Sequence, residues 1–220
     1  MGNFVKADHL LWCDFETTGL DPRADYVLEV GFVYTDLDLN PLWEFGDLVK
    51  GVWPLAERQL NDFTRKMHAE NGLIAELQSL HAEMQTSSID LYDNSLDNLQ
   101  HKVLAMIPDG DTVALAGSGI AHFDRPFMDA ELPELTKRLE YYSIDTGVLR
   151  RCLRIFGGDF YDWALPESYE GSEGGAKAHR ALADAQAHLA EARVYAHHLR
   201  TAALFAQPRI EAEVRAGMNW

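Results

Sequence analysis

The chain has 220 residues, 47% of them hydrophobic and 25% charged, which is the composition of a folded globular domain rather than of a disordered, collagen-like or coiled-coil protein. The length fits one domain with at most a modest appendage. Nineteen basic and 35 acidic residues give a formal net charge of −16, which argues against binding a long nucleic-acid duplex along a basic surface. Any anionic substrate must therefore be short or held locally.

Apolar stretches and cysteines indicate the cellular setting. No apolar stretch reaches the roughly 18 residues of a membrane span, and the N-terminal segment lacks the apolar core of a signal peptide. We therefore expect a cytoplasmic protein without membrane contact. Cys13 and Cys152 lie in apolar runs without C-x-x-C spacing, so we predict buried free thiols rather than a disulfide or a zinc site.

The first fifty residues predict three strands. Residues 9–15 form a mostly apolar run typical of a buried strand, and residues 25–35 form a second run that is rich in β-branched side chains. Residues 42–50 follow a polar turn at 36–40 and can pair back on the second strand. We expect these strands to form an antiparallel meander.

The rest of the chain alternates between helical and strand patterns. The predicted elements are helices over 55–85 and 95–107 (N-cap Asp93 or Ser95), a strand at 111–117, a helix around 123–139, a short strand at 141–145, a helix over 146–156, a glycine-rich loop at 157–178 and a helix over 179–203. This order predicts an α/β protein with one mixed five-stranded sheet flanked by helices. We expect a single domain over 1–203 and a polar C-terminal tail over 204–220.

Asp14 and Glu16 lie at the end of the first predicted strand. The two-residue period of a strand puts both carboxylates on one face of the sheet. The same D-x-E spacing recurs at Asp129 and Glu131, where a helical pattern turns the side chains apart and favours solvated charges. Carboxylates at the end of a buried strand are costly unless a cation or hydrogen-bond donors compensate them, so the first pair is a candidate metal site.

Two later motifs carry further acids. Asp124 follows a glycine turn after strand 111–117, where open α/β sheets build their sites, although an acid in the first turn of a helix fits the pattern equally well. His179 and Asp184 border the last predicted helix. Within one helix five residues apart they would point about 140° away from each other, so they converge only if His179 lies on the loop side. There the histidine suits a general base, or it caps the helix.

Taken together, the four acids come from two strand ends and a helix, in an order that allows one cleft. Adjacent carboxylates stay ionised only when cations lie between them, and oxygen ligation selects Mg²⁺ or Mn²⁺ over Zn²⁺. The acids are Asp14, Glu16, Asp124 and Asp184.

These motifs resemble those of the DnaQ-like 3′→5′ exonucleases of the DEDDh type. The first motif is DFETTGL at 14–20, the second ends in Phe123-Asp124, and His179 with Asp184 forms the third. The ordered set is specific, although each motif alone is not. The resemblance implies an RNase H-like fold.

The chain between the motifs is most similar to the oligoribonuclease branch of that family. The segment FTRKMHAENGL at 63–73 resembles the Trp-x4-His-x3-Gly-Leu segment of that branch, and the stretches at 133–135 and 141–145 are also similar. The resemblance covers about residues 9–203.

The resemblance assigns roles to individual residues. Asp14, Glu16, Asp124 and Asp184 would hold two Mg²⁺ or Mn²⁺ ions, and His179 would take the proton from the attacking water, which yields 5′-nucleotides. Leu20 resembles a wedge between terminal bases, although Leu20 and Phe63 also fit a core. The positions that would contact the 3′ end of the substrate are Thr17, Gly19, Leu20, Phe63, His68, Ser118, His122 and Phe123.

Three functions remain open at this point. The leading one is an oligoribonuclease-like exonuclease on short single-stranded RNA or DNA. The second motif, residues 117–124, is one residue longer than the oligoribonuclease pattern and closer to proofreading relatives, so a DNA proofreading or repair exonuclease is the alternative. A catalytically silent nucleic-acid-binding protein is the third. Tyr141 or Tyr142 could match the partner-subunit tyrosine of dimeric relatives, which would imply a homodimer.

Overall fold

The computed structural model describes residues 7–86, 95–156 and 179–215, which form a mixed five-stranded sheet with helices on both faces. The strands are β1 (His9–Thr17), β2 (Val27–Thr35), β3 (Pro41–Leu48), β4 (Val113–Gly117) and β5 (Ile144–Asp145). The helices are α1 (Leu55–Gln59), α2 (Asp62–Glu70), α3 (Leu73–Thr86), α4 (Leu96–Met106), α5 (Asp124–Glu131), α6 (Pro133–Thr136), α7 (Thr146–Phe156) and α8 (Ala181–Arg215).

The sheet has the order β3-β2-β1-β4-β5. β1, β2 and β3 pair antiparallel in sequence, while β4 lies parallel to β1 and β5 lies parallel to β4. The predicted meander and the predicted mixed five-stranded sheet are therefore confirmed. Among the described residues, no helix has the length and apolar character that crossing a bilayer requires.

Strand alternation in β1 separates two cores. Leu11 and Cys13 belong to the core that contains residues of α4 and α5, while Leu10 and Trp12 pack with residues of α8 on the opposite face. Because alternate residues share a face, Asp14 falls on the side that α8 covers. The last helix is thus placed to add side chains to the acids of β1.

Glycine at position 31 lets α8 approach the sheet closely. Gly31 pairs with Asp14 across β1 and β2. A Cβ atom on Gly31 would lie 2.2 Å from the carbonyl carbon of Ala181, so no side chain fits there. The first turn of α8 therefore lies directly over the strand pair at the level of Asp14.

The single helix predicted over 55–85 is wrong, because the chain forms α1, α2 and α3 there. Leu60 ends α1 in an extended conformation, and the Asn61 side chain caps α2 by accepting a hydrogen bond from the Thr64 amide. Gly72, with a φ of +88°, separates α2 from α3. These breaks turn α2 into a separate wall beside the end of β1.

Other predicted boundaries also change. The helix around 123–139 divides into α5 and α6 because Pro133 disfavours a helical Leu132, and the strand at 141–145 shortens to Ile144–Asp145. The helix predicted over 179–203 begins at Ala181 and continues to Arg215, because residues 204–215 of the predicted tail include many helix formers.

The structure also tests the predicted N-cap of α4, the two predicted buried thiols and the predicted solvated charge at Asp129. Ser95 caps α4, whereas Asp93 and the loop at 157–178 lie outside the described residues. Cys13 is buried as predicted, but Cys152 is only half-buried because it lies on the partly exposed α7. Asp129 is exposed and pairs with Arg125 at 2.8 Å, in keeping with a solvated charge.

Candidate active site

A pocket of about 290 Å³ opens where β1 ends, between α2 and the start of α8. The strand contributes acids to its floor, α2 contributes an aromatic wall, and the first turn of α8 closes the other side. The predicted site residues that line it are Asp14, Glu16, Thr17, Gly19, Leu20, Phe63, Phe123, His179 and Asp184.

Glu16, His179 and Asp184 form the tightest group of potential ligands in this pocket. One carboxylate oxygen from each acid and one ring nitrogen of the histidine all lie within 4.8 Å of one another. Asp184 Oδ2 also accepts a hydrogen bond of 2.8 Å from the His179 backbone amide. His179 precedes α8 while Asp184 lies in its first turn, which is the arrangement that convergence of the His-x4-Asp pair requires.

Asp124 lies behind the other acids. Its side chain is buried, with 1% of the residue exposed, and Oδ1 accepts a hydrogen bond of 3.0 Å from the Phe15 amide, between Asp14 and Glu16. Among the described residues, those that line the pocket do not include Asp124. Its carboxylate therefore contacts the acidic strand from the α5 side.

All four carboxyl groups have raised pKa values, with burial as the largest cause for each. Burial is the largest cause for Glu16, whose pKa rises to about 9, and repulsion from Asp14 and Asp184 adds to it. Burial and then repulsion from Asp14 raise the pKa of both Asp124 and Asp184. Burial also raises the pKa of Asp14, although contact with His188 opposes the rise. The site thus concentrates negative charge that its protein neighbours do not neutralise.

This donor set fits divalent cations. Carboxylate oxygens are the preferred ligands of Mg²⁺ and Mn²⁺, and the raised pKa values reflect charge that such an ion would offset. The oxygens of Glu16 and Asp184 are close enough to share an ion. Asp14 lines the same pocket and completes the exposed part of the donor set.

His188 is a neighbour of the acids that the sequence motifs did not identify. Its Nε2 lies 3.5 Å from Asp14 Oδ1, and both side chains are mostly buried. It follows Asp184 by four residues on α8, so the two side chains lie on one face of the helix. That spacing was the available signal, and it was missed because the histidine lies outside the motif.

His68 lies under the pocket rather than in it. The residue is fully buried, its Nε2 is 2.9 Å from the Thr17 carbonyl oxygen, and Nδ1 is 3.8 Å from Glu16 Oε2. Burial lowers its pKa, which favours the neutral ring. These contacts support the end of β1.

Ser118 and His122 are not brought into the acidic pocket. His122 lines a neighbouring pocket with Ser143 and Ile144. Both residues lie in the turn after β4, where Gly119 has a φ of +71° and its amide donates to Asp145 Oδ1 at 3.1 Å.

Comparison with known proteins identifies the family. A model of the RNase T family, described as exonuclease, matches residues 11–192. The chain belongs to this exonuclease family. It is similar to the oligoribonuclease of Corynebacterium diphtheriae, with 34% identity over 97% of this chain and 92% of that protein. It is also similar to the oligoribonuclease of Mycobacterium leprae, with 31% identity over 86% of this chain and 80% of that protein.

Solved structures of exonuclease I share the fold. Exonuclease I from Methylocaldum szegediense aligns with a TM-score of 0.53 and 20% identity, covering 84% of this chain and 40% of that one. Escherichia coli exonuclease I in complex with a dA16 oligonucleotide aligns with a TM-score of 0.56 and 13% identity, covering 92% and 42%. This exonuclease spans about two fifths of those chains.

Family and fold together confirm the resemblance to DnaQ-like exonucleases and their oligoribonuclease branch. The protein is a 3′→5′ exonuclease, a hydrolase of phosphodiester bonds, with an RNase H-like fold.

Leu20 and Phe63 are surface residues of this exonuclease and do not belong to its core. Leu20 is 83% exposed and Phe63 is 73% exposed, yet both line the acidic pocket. Exposed apolar side chains beside a polar pocket suit stacking on flat apolar groups such as bases. The alternative that these two are core residues is therefore wrong.

Proposed function

We propose that this exonuclease removes 5′-mononucleotides from the 3′ ends of short single-stranded RNA or DNA with the help of two bound Mg²⁺ or Mn²⁺ ions. The observation that carries the proposal is the group of carboxylates and one histidine in a pocket flanked by exposed apolar side chains. The relatives that bear the name oligoribonuclease support the short substrate.

Asp14, Glu16 and Asp184 would hold the ions, with Asp124 supporting them from behind. Divalent cations, when bound, supply positive charge that offsets the charge developing on the phosphodiester oxygens. Burial raises the pKa values of these acids, and repulsion from Asp14 adds to the rise for Glu16 and Asp184, so the ions would also keep the acids ionised at neutral pH. In this proposal, bound ions offset the electrostatic free energy that is needed to keep several buried carboxylates ionised side by side.

His179 would act as the general base. The residue is exposed on the pocket side, and its ring nitrogen lies within 4.8 Å of the carboxylate oxygens, so it can reach a water placed at the same centre. One ring nitrogen would accept the proton of that water as it attacks the phosphorus. Because the His179 side chain is exposed to solvent, it could afterwards release this proton to bulk water.

Leu20 and Phe63 would hold the bases next to the scissile bond. Stacking on apolar and aromatic side chains tolerates any base, which suits an enzyme that degrades mixed sequences. The net charge of −16 disfavours prolonged sliding along a polyanion. Short oligonucleotides, which need only the local contacts of the pocket, fit this balance best.

A homodimer forms part of the proposal. Tyr141 and Tyr142 are 84% and 75% exposed, and their rings contact each other edge to face. One of them would reach the site of a second copy, as the resemblance implies. Light scattering after size exclusion tests this, and a monomer at all concentrations would contradict it.

Nucleotide release tests the proposed activity. Purified protein is incubated with a labelled RNA dinucleotide, a DNA dinucleotide and a long single-stranded DNA, with Mn²⁺, Mg²⁺ or EDTA. We expect 5′-mononucleotides, fastest from the dinucleotides, and none with EDTA. A preference for the long DNA would favour the proofreading or repair alternative, and release that persists in EDTA would refute the role of the ions.

A further inference from the structure

Arg180, directly after the proposed base, joins two acids from different parts of the fold. Its Nε and Nη2 atoms donate to the Glu29 carboxylate at 2.9–3.2 Å. Its Nη1 and Nη2 atoms donate to the Glu76 carboxylate at 2.9 Å each. One guanidinium thus ties the chain before α8 to both β2 and α3.

Two backbone contacts reinforce this tie on either side of Arg180. The Ala181 amide donates to Glu29 Oε2 at 3.1 Å. The Asn71 side-chain amide donates to the carbonyl oxygen of His179. The peptide groups that follow His179 are therefore fixed from the sheet and from the α2–α3 turn.

The anchor on β2 is the strand partner of a proposed metal ligand. Glu29 is buried, with 7% of the residue exposed, and it pairs with Glu16 across β1 and β2. Because Arg180 binds Glu29, the backbone next to His179 is fixed relative to the strand pair β1–β2, which carries Asp14 and Glu16. A planar guanidinium holds two carboxylates in fixed directions, which a lysine ammonium cannot do.

The backbone at His179 needs such support. His179 has a φ of +70°, a left-handed conformation that few residues other than glycine adopt without help from their surroundings. Its side chain is exposed, so packing does not hold the ring in place. The contacts that fix this conformation are those of Arg180, Asn71 and Asp184.

We propose that Arg180, bound by Glu29 and Glu76, is a positioning residue that fixes the backbone at His179 and so directs its imidazole to the acidic pocket. The inference rests on the proposed role of His179 as the base. It assigns Arg180 no contact with substrate or ion, so the residue acts on turnover through His179 alone.

The first test compares Arg180→Met with Arg180→Lys in the whole 220-residue chain. We expect Arg180→Met to lower kcat on a dinucleotide by about tenfold to 100-fold, with KM and the Mn²⁺ affinity by calorimetry changing less than about threefold. Arg180→Lys should recover part of kcat because it restores the charge without the fork. Arg200→Met is the matched control, since Arg200 lies on the same helix and pairs with the exposed Asp38; it should match the wild type.

Glu76→Gln guards against misfolding. Arg180→Met leaves the buried Glu29 without its charged partner, which can unfold the protein, whereas Glu76 is half-exposed and its loss leaves no buried charge unpaired. We expect Glu76→Gln to lower kcat in the same direction by about threefold with an unchanged melting temperature. Unchanged kcat in both Glu76→Gln and a folded Arg180→Met would overturn the inference.

A double-mutant cycle separates positioning from general damage. In a His179→Asn background, Arg180→Met should lower kcat no further, because the group it positions is absent. An equal loss in both backgrounds would overturn the inference. Hydrogen exchange without metal gives a readout besides activity: Arg180→Met should speed exchange of the Ala181 amide, and unchanged exchange would contradict the clamp.

The outcomes also separate this inference from the proposed function. No nucleotide release by the wild type would refute the proposed function and the inference with it. An active wild type that loses turnover in His179→Asn but not in Arg180→Met would refute the positioning role alone.

Discussion

Gly31 lies opposite Asp14 in the pairing of β1 and β2, and the space above it is filled by the backbone of Ala181. The missing side chain on one strand is therefore what allows the helix that carries Asp184 to reach the acid on the next. A residue without chemistry of its own sets the distance between the two halves of the site.

Substituting Gly31 with alanine should disrupt this contact. The new Cβ would lie 2.2 Å from a backbone atom that no rotamer change can move, so α8 must shift. We expect a loss of about 1–3 kcal/mol in the free energy of unfolding, measured by urea denaturation, together with weaker Mn²⁺ binding. Gly46→Ala is the control: its Cβ would lie 2.9 Å from the Leu182 Cβ, a milder overlap than 2.2 Å that needs a smaller shift of α8, so a smaller loss is expected. Equal stability of Gly31→Ala and wild type would contradict this account.

The metal-free protein should lose stability as pH rises. The pKa of Glu16 is raised from 4.5 to about 9, so the folded chain holds a proton that the unfolded chain releases. This contribution is fully present below pH 4.5 and is lost as pH rises towards about 9. Melting temperatures in EDTA should therefore fall across this range, and added Mn²⁺ should raise them more at pH 8 than at pH 5.

Glu16→Gln tests the origin of that pH dependence. The variant should flatten the fall of the melting temperature with pH, whereas Glu131→Gln, at an exposed position on α5, should leave it as in the wild type. An identical slope in Glu16→Gln and wild type would show that other groups cause the effect.

Asp14→Ala should abolish activity through loss of the ions. Asp14 contributes a carboxylate to the pocket and contacts His188. Its removal takes away one proposed ligand, so the remaining acids offer too few oxygens to hold the ions. We expect nucleotide release to fall by more than about 100-fold and calorimetric Mn²⁺ binding to weaken at least about tenfold. Full Mn²⁺ affinity in this variant would remove Asp14 from the ligand set.

His179→Asn should slow turnover while sparing the ions. Asparagine tolerates a positive φ, so the backbone conformation at +70° is kept while the imidazole is lost. We expect kcat to fall by about 10²–10⁴-fold with Mn²⁺ affinity changed less than about threefold. A rate equal to that of the wild type would exclude the residue as the base.

Phe63→Ala should weaken substrate binding without weakening the fold. The side chain is 73% exposed, so its removal costs little burial and we expect stability within about 0.5 kcal/mol of the wild type. Loss of one stacking platform should raise KM for a dinucleotide by about tenfold. Leu199→Ala, at an exposed position on α8 that does not line the pocket, is the control. An unchanged KM would argue against base stacking.

Much of the fold followed from local pattern. The strands could be predicted because apolar runs of this length, bounded by polar turns, are typical of buried strands. The two-residue alternation in β1 then placed Asp14 and Glu16 on one face. The break of the predicted 55–85 helix was harder to see, because it depends on an extended Leu60 and on a positive φ at Gly72. Such backbone angles are set by packing around them rather than by the residues alone.

Site residues that belong to sequence motifs could be predicted, whereas residues that act through contacts with distant parts of the chain could not. His188 and Arg180 reach the acids only after α8 is laid across the sheet, so their partners at positions 14 and 29 are invisible in the chain order. His68 was assigned to substrate but is buried beneath Thr17. Its burial depends on how α2 packs against β1, which the sequence does not display.

The fourth acid belongs to the last helix, and this order along the chain has a consequence for biosynthesis. A growing polypeptide that ends before Asp184 carries the carboxylates of β1 and α5 but neither the residue that completes their set nor the helix that covers them. With the proposed ligand set, a nascent chain therefore becomes an active nuclease on a ribosome beside messenger RNA only after the part of α8 that carries Asp184 has been made.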